Sequence, residues 1–390
     1  MNAEQRVIKR YLEDVIPNFM FRGKAILIFG PRQAGKTTLV KKITDQIDGQ
    51  CLFLNGDEHQ VKSFLLHASK EKLAGMVAGF RILVIDEAQK IDDISNILKI
   101  FTDSIPEVQV IATGSSAFEL INKTSESLTG RKFEFLLFPL SFAELVDHTD
   151  LLTERGSLEE RLVKGSYPEV VSIPEFSVRT VKSLASSYLF KDIFSMDGLR
   201  FPSVIENIVR ALAFQVGSEV NYSELAQLTG TDAKTVEKYL RILEQAYIVF
   251  RLPAISRNER NEIKKGKKYY FYDNGIRNAL IGNLTDLNIR TDVGALWENY
   301  LISERRKYLS YSESMARTFF WRTVQQQEID YLEETHEGFR AFEIKWSEKA
   351  GYKFPQNFLQ SYKTLEQSVV NRQNYEEFLM PGRFGNSIIK

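Results

Sequence analysis

Residues 25–37 read AILIFGPRQAGKT: five apolar residues, Ala25 to Phe29, run into Gly30-Pro31-Arg32-Gln33-Ala34-Gly35-Lys36-Thr37. A short apolar run that breaks on glycine predicts a buried strand, and the residues after the second glycine open a helix. This is the pattern G-x-x-x-x-G-K-[ST] in the strand-then-helix setting that gives it physical meaning. Glycines let the chain curl until successive N–H groups face inward, and the following helix adds the positive end of its dipole. Such a cradle suits a triphosphate. Gly30, Pro31, Arg32, Gln33, Ala34, Gly35, Lys36, Thr37 and Thr38 are expected to line it, with Lys36 reaching the β- and γ-phosphates and Thr37 ligating magnesium. ATP and Mg are the expected cofactors.

Outward from this loop, apolar runs at Cys51 to Asn55, Ile82 to Ile85, Val108 to Ala112 and Phe133 to Leu137 alternate with helical stretches. That alternation predicts an α/β fold, a doubly wound parallel sheet with helices on both faces. The run Ile82-Leu83-Val84-Ile85 is wholly apolar, as a strand covered on both faces requires, and it ends in Asp86-Glu87. Ligands bind at that edge of such sheets, so Asp86 is expected in the magnesium shell and Glu87 beside the attacking water. The plainer role for Asp-Glu after a strand is a helix start. After Val108 to Ala112 come Thr113-Gly114-Ser115-Ser116, where Thr113 and Ser115 are open to a γ-phosphate contact or to ordinary turn and cap roles. Arg131, after Thr129-Gly130, is a candidate arginine finger, in cis or from a neighbouring subunit, and equally a surface charge.

The 390 residues are two to three times a common domain, and 43% apolar with 26% charged is the balance of a chain that folds throughout. Fifty-one basic and fifty-one acidic side chains cancel, so any attraction to nucleic acid or lipid must be local. Cys51 is the single cysteine, which excludes an internal disulfide and fits a reducing compartment. Met1 to Arg10 lacks the apolar stretch of a secretory signal, and no apolar run approaches bilayer length, so a cytoplasmic location without membrane contact is expected. Composition shifts divide the chain into a nucleotide-binding core (1–140), a helical lid (141–200), a winged helix (201–281) and a C-terminal α/β unit (282–390).

Within the third unit, Tyr222 to Leu228, the turn Thr229 to Asp232 and Ala233 to Gln245 have helix-turn-helix grammar, with Lys234, Lys238 and Arg241 outward. The following loop holds Lys264-Lys265-Gly266-Lys267-Lys268, which suits a grip on DNA phosphates and equally a hairpin tip protected from strand pairing. In the fourth unit, Glu328 to Leu332 and Arg340 to Lys345 read as strands joined through Thr335 to Gly338. Residues two apart on a strand share a face, so Glu343 and Lys345 point together, Asp330 can join them, and Glu298 on the helix Gly294 to Lys307 offers a further ligand. Two carboxylates and a lysine can hold magnesium and steady the water that attacks a phosphodiester. A hairpin with its charged face in water uses the same spacing.

Taken together, Gly30 to Thr38 (GPRQAGKTT), Ile85 to Gln89 (IDEAQ), Thr113 to Ser116 (TGSS), Gly130-Arg131 and Gly165 to Val170 (GSYPEV) resemble a family of prokaryotic AAA-like P-loop ATPases. In that family the C-terminal half is similar to a winged helix followed by a PD-(D/E)xK nuclease-like domain. Tyr272 to Gly275, Gly294 to Glu298, Glu328 to Asp330 and Glu343 to Lys345 fall where its motifs fall. The resemblance implies ATPase activity and a nuclease-like fold. Gln325-Gln326-Gln327 departs from it, since the family usually turns there on a glycine. Three readings follow: an ATPase that repositions its C-terminal units on DNA, a nucleotide-controlled switch for a protein partner, and an ATP-regulated nuclease. Each leaves oligomerisation open.

Overall fold

The computed structural model describes residues 7–66, 68–115, 128–188, 202–255 and 266–383. Ser116, Lys264, Lys265 and the 189–200 part of the expected lid lie outside the described residues.

Five parallel strands form the first sheet: β1 (Ala25–Phe29), β2 (Cys51–Asn55), β3 (Ile82–Asp86), β4 (Gln109–Gly114) and β5 (Lys132–Leu136), in the order β2-β3-β4-β1-β5. β1, β3 and β4 are buried along their whole length because helices cover both faces. Alternate residues of β1 feed opposite cores. Leu27 and Phe29 pack with Ile94, Leu98 and Phe101 of the helix Ile94–Ser104. Ile26 and Ile28 pack with Leu39, Val40 and Ile43 of the helix Lys36–Thr44. Gly30 is needed for a close approach, since a Cβ there would stand 2.0 Å from the Leu137 carbonyl oxygen. Its φ of 150° adds a conformation that side chains rarely adopt.

The lid is a run of short helices, begun by a capping box in which Ser141 and Glu144 satisfy each other's backbone N–H groups ahead of Phe142–His148. Helices Tyr222–Thr229 and Ala233–Gln245 follow, capped by Asn221 and Asp232 and separated by left-handed Gly230. The antiparallel pair β6 (Val249–Pro253) and β7 (Lys267–Phe271) comes next. The last sheet is β8 (Arg317–Arg322), β9 (Glu328–Glu334), β10 (Phe339–Ile344) and β11 (Thr364–Val370), in the order β11-β10-β9-β8. β9 runs antiparallel to both neighbours, and β11 returns parallel to β10 after the helix Gln356–Ser361. Gln326 itself adopts φ 64° in the β8–β9 turn, so a glutamine supplies the left-handed residue expected of a glycine.

The sequence divides the chain into four units, but the structure joins the last three through one apolar core. Phe142, Leu162, Ile205, Leu243, Trp297 and Phe342 all belong to it. The Ile255 N–H donates to the Phe320 carbonyl at 2.8 Å, tying the segment after β6 to the C-terminal sheet. Gly275, on the helix Asn274–Leu280, lies so close to the lid that an added Cβ would meet the Lys164 carbonyl oxygen at 2.0 Å.

Gly275→Ala is therefore expected to lower the free energy of unfolding by about 1–3 kcal/mol through overpacking. Gly294→Ala, in a helix and with open space around the new methyl, is expected to be neutral or to gain up to about 1 kcal/mol. Urea denaturation of the two variants checks both.

Candidate functional site

The loop Gly30 to Thr37 wraps the C-terminal end of β1. Gly35 and Gln33 take positive φ (97° and 61°), which turns the chain into the helix Lys36–Thr44. Lys36 is buried, and its ammonium donates to the Gly30 and Pro31 carbonyls, each at 2.9 Å. Those two carbonyls hold the ammonium inside the loop, at the place where a phosphate would accept its hydrogen bonds.

Strand order explains how the partners converge. β4 lies between β1 and β3, so its C-terminal end falls between the loop and Asp86. Asp86 accepts from Thr37 Oγ1 through Oδ2 at 2.7 Å and from Thr113 Oγ1 through Oδ1. The Thr113 hydroxyl in turn accepts from the Glu87 N–H at 3.2 Å. A hydroxyl beside a carboxylate is a hard-oxygen pair, the donor chemistry that magnesium takes while it keeps several waters. The donor set therefore fits the ion.

Glu87 leaves β3 in the left-handed region, at φ 51°, which swings it off the strand direction. Its Oε2 accepts from the Gln89 carboxamide at 2.5 Å, and the same Nε2 donates to Ser115 Oγ at 3.1 Å. Gln89 and Ser115 are both buried. The role of Gln89 escaped the sequence reading although the residue sits in the quoted IDEAQ run, because its partner Ser115 is 26 positions away. Arg131 does not join this group. It precedes β5 at the opposite edge of the sheet, where its carbonyl accepts the Ala25 N–H and its guanidinium pairs with Asp103 at 2.6 Å. A reach to the phosphates in cis is thus a correction to the expectation, since the full length of β1 intervenes.

The loop is held from behind by Arg10, which the sequence reading also missed. The buried guanidinium donates to the Ala34 carbonyl at 2.7 Å, to the Phe138 carbonyl at 2.6 Å and to Glu144 at 3.0 Å. Burial works against its charge, and Glu144 and Tyr311 together more than offset burial, so the guanidinium is held protonated more firmly than usual. Beside Gly35 and Thr38 opens a cavity of about 390 Å³ whose apolar walls include Val7, Ile8, Leu140 and Pro168.

In the C-terminal unit, Asp330, Glu343 and Lys345 come together as expected. Lys345 Nζ donates to Glu343 at 2.5 Å and stands 3.9 Å from Asp330, whose Oδ2 also accepts the Ile344 N–H at 2.9 Å. Glu298 faces the same cluster, but Tyr270 OH (2.6 Å) and Lys268 Nζ (3.4 Å) engage it. Lys268 was expected on an exposed wing. It is instead buried and also pairs with Glu328 at 2.6 Å, so it cannot grip phosphates there. Two ammonium groups thus pair with the four carboxylates Glu298, Glu328, Asp330 and Glu343. Among the described residues no three His, Cys, Asp or Glu side chains are disposed to hold a metal ion. Burial, then the nearby Asp330 charge, pushes Glu343 up to about 7. Burial pushes Glu298 up to about 7 as well, against the pull of Lys268. A groove beside the cluster, bounded by Gln327, Tyr352 and Asn357, leaves it open to solvent.

Comparison with known proteins matches three stretches of the chain. Residues 22–146 match the AAA domain, residues 155–287 a domain of unknown function (DUF8612), and residues 293–383 another (DUF4143). An uncharacterised protein of Mycobacterium tuberculosis is 27% identical over 340 residues, spanning 84% of this chain and 71% of its own length. One from Haemophilus influenzae is 25% identical over 389 residues, spanning 92% and 89%. Among solved structures, a Walker-type ATPase of Pyrococcus abyssi covers 71% of this chain and 97% of its own, with 15% identity and a TM-score of 0.49. A STAND protein of Pyrococcus horikoshii with a tetratricopeptide repeat sensor has 13% identity and a TM-score of 0.31, over 81% of this chain and 49% of its own. The five-stranded sheet and its loop are thus a P-loop domain of the AAA type. No helix among the described residues is long and apolar enough to cross a membrane.

The lysine latch has a pH-dependent consequence. Lys268→Met leaves Glu298 and Glu328 without their buried cation, a loss of about 3–5 kcal/mol while the carboxylates are ionised. Lys268 holds the Glu298 carboxyl down against burial, so without it Glu298 takes up its proton at still higher pH, and the deficit is expected to be smaller at pH 5 than at pH 8. Adding Glu298→Gln should restore most of the loss at pH 8. Denaturant unfolding at the two pH values measures all three chains.

Proposed function

We propose that this chain is a magnesium-dependent ATPase whose nucleotide state governs its C-terminal half. The observation that carries the reading is the meeting of Lys36, Thr37, Asp86 and Glu87 at one sheet edge. Lys36 would exchange its two carbonyl acceptors for the β- and γ-phosphate oxygens. Thr37 and Asp86 would hold magnesium, which withdraws charge from the phosphates as the terminal bond breaks. Glu87 would accept a proton from the attacking water. The cavity beside Thr38 is placed for the base and ribose, with Ile8, Leu140 and Pro168 as its apolar walls. That wall composition would supply stacking area, and the preference for adenine rests on the AAA domain match.

For the C-terminal half the four-stranded unit supports a nuclease-like architecture, while the buried Lys268 on Glu298 and Glu328 favours the second reading, a nucleotide-controlled interaction switch without cleavage. In that reading the C-terminal half binds a protein, whereas DNA would be the partner of an ATPase that repositions its C-terminal units.

Lys36→Ala is expected to abolish ATP turnover. Glu87→Gln is expected to slow it by about 100-fold or more while ATP binding persists, as removal of a positioned general base does. Unchanged steady-state hydrolysis in both variants would refute the assignment. Plasmid nicking with magnesium or manganese, controlled by Asp330→Ala and Lys345→Ala, separates the two C-terminal readings: nicking by the wild type that both controls lose supports cleavage, and none supports the switch.

A further inference from the structure

We propose that Gln89 is the positioning residue that aims Glu87 at the attacking water and ties that aim to Ser115; this inference rests on the role given to Glu87 above. A carboxylate only accepts hydrogen bonds, so the carboxamide nitrogen must be the end that faces Glu87. Its two N–H groups are then both used, one on Glu87 Oε2 at 2.5 Å and one on Ser115 Oγ at 3.1 Å. Ser115 spends an acceptor in that contact and keeps its hydroxyl proton for a further acceptor. One amide therefore joins the residue after β3 to the residue after β4, the two strand ends beside which the loop Gly30 to Thr37 stands.

A second observation shows that packing alone does not account for the residue. Gln89 Oε1 is buried and has no hydrogen-bond partner among the described residues. An unmade hydrogen bond at a buried carbonyl opposes folding, and leucine would fill nearly the same volume without it. Shape alone would be met by leucine, and what the amide adds is two N–H donors. Glu87 needs them because its left-handed backbone points the side chain away from the fixed direction of β3, which leaves the carboxylate free to rotate unless something holds it. A carboxylate turned by one rotamer misses the water it should polarise.

Five chains test this: wild type, Glu87→Gln, Gln89→Leu, the double variant of these two, and Gln89→Glu. Each is measured for steady-state ATP turnover, for affinity toward a fluorescent ADP analogue, and for its thermal unfolding midpoint. In Gln89→Leu, kcat is expected to fall roughly 10- to 100-fold with nucleotide affinity and unfolding midpoint held near wild type. In the double variant kcat is expected to match Glu87→Gln alone, because there is no longer a carboxylate to aim. Gln89→Glu keeps the shape, removes both donors and sets a like charge against Glu87, so it should lose at least as much turnover. Normal turnover in Gln89→Leu beside a crippled Glu87→Gln overturns this inference alone. Additive losses in the double variant, or a fall in midpoint that accounts for the lost activity, also overturn it. Normal turnover in Glu87→Gln overturns the underlying role of Glu87 instead.

Discussion

Asp86 accepts two hydroxyls at once, Thr37 from the loop after β1 and Thr113 from the end of β4, and the nucleotide-binding end of the molecule is organised about that shared carboxylate. The arrangement depends on strand order. With β4 inserted between β1 and β3, three strand ends that are distant in sequence finish side by side, and each delivers one polar group to the same point. The β-sheet ladder fixes their heights, since Ile28 stands opposite Thr113 and Ile85 opposite Ala112. A buried carboxylate with both oxygens hydrogen-bonded is a rigid joint, and the loop Gly30 to Thr37 is seated on it.

Behind the loop, a second network fastens this end to the rest of the chain. Arg10 holds Ala34, Phe138 and Glu144 together, while Lys307 donates to the Leu140 carbonyl at 3.0 Å and to Glu304 at 2.6 Å. Glu304 also accepts the Phe142 N–H at 2.7 Å, so the strap 138–144 is gripped from the loop side and from the long helix Val293–Tyr311. The buried charged side chains thus give these carbonyls and the Phe142 N–H hydrogen-bond partners in an interior position.

Most of the nucleotide-binding sheet was legible. β1 and β2 fall where the apolar runs place them, and β3 to β5 differ from them by one or two residues at an end, because hydrophobic runs of that length bounded by polar turns permit little else. The helix Ala233–Gln245 was equally plain, with Asp232 as its cap and Val236, Tyr239, Leu240 and Leu243 as its buried stripe. The missing parts are those that sequence spacing does not encode. Lys268 reads as one of four lysines in a solvated hairpin, and only the docking of β7 against the helix Val293–Tyr311 turns it into a buried counter-ion. Arg131, after Thr129-Gly130, reads as a finger or as a surface charge, and only the sheet shows that it faces the other edge. Arg10 precedes the fold's first strand by 15 positions, and nothing local marks it as the clamp on the loop. The apolar core that the described parts of the last three units share was likewise invisible, since composition shifts mark changes of secondary structure and not the limits of a core.

The 19-residue helix Val293–Tyr311 carries Glu298 near one end, in the acidic cluster, and Glu304, Lys307 and Tyr311 toward the other, beneath the strap that backs the nucleotide loop. Nine residues separate Glu298 from Lys307, about 14 Å of continuous hydrogen-bonded rod. Thermodynamic linkage makes such a rod even-handed: whatever factor a nucleotide imposes on the affinity of the acidic cluster for its ligand, that ligand must impose on the affinity of the loop for the nucleotide. A partner bound at the far sheet would therefore be weighed by the ATP site as directly as ATP is weighed by the partner.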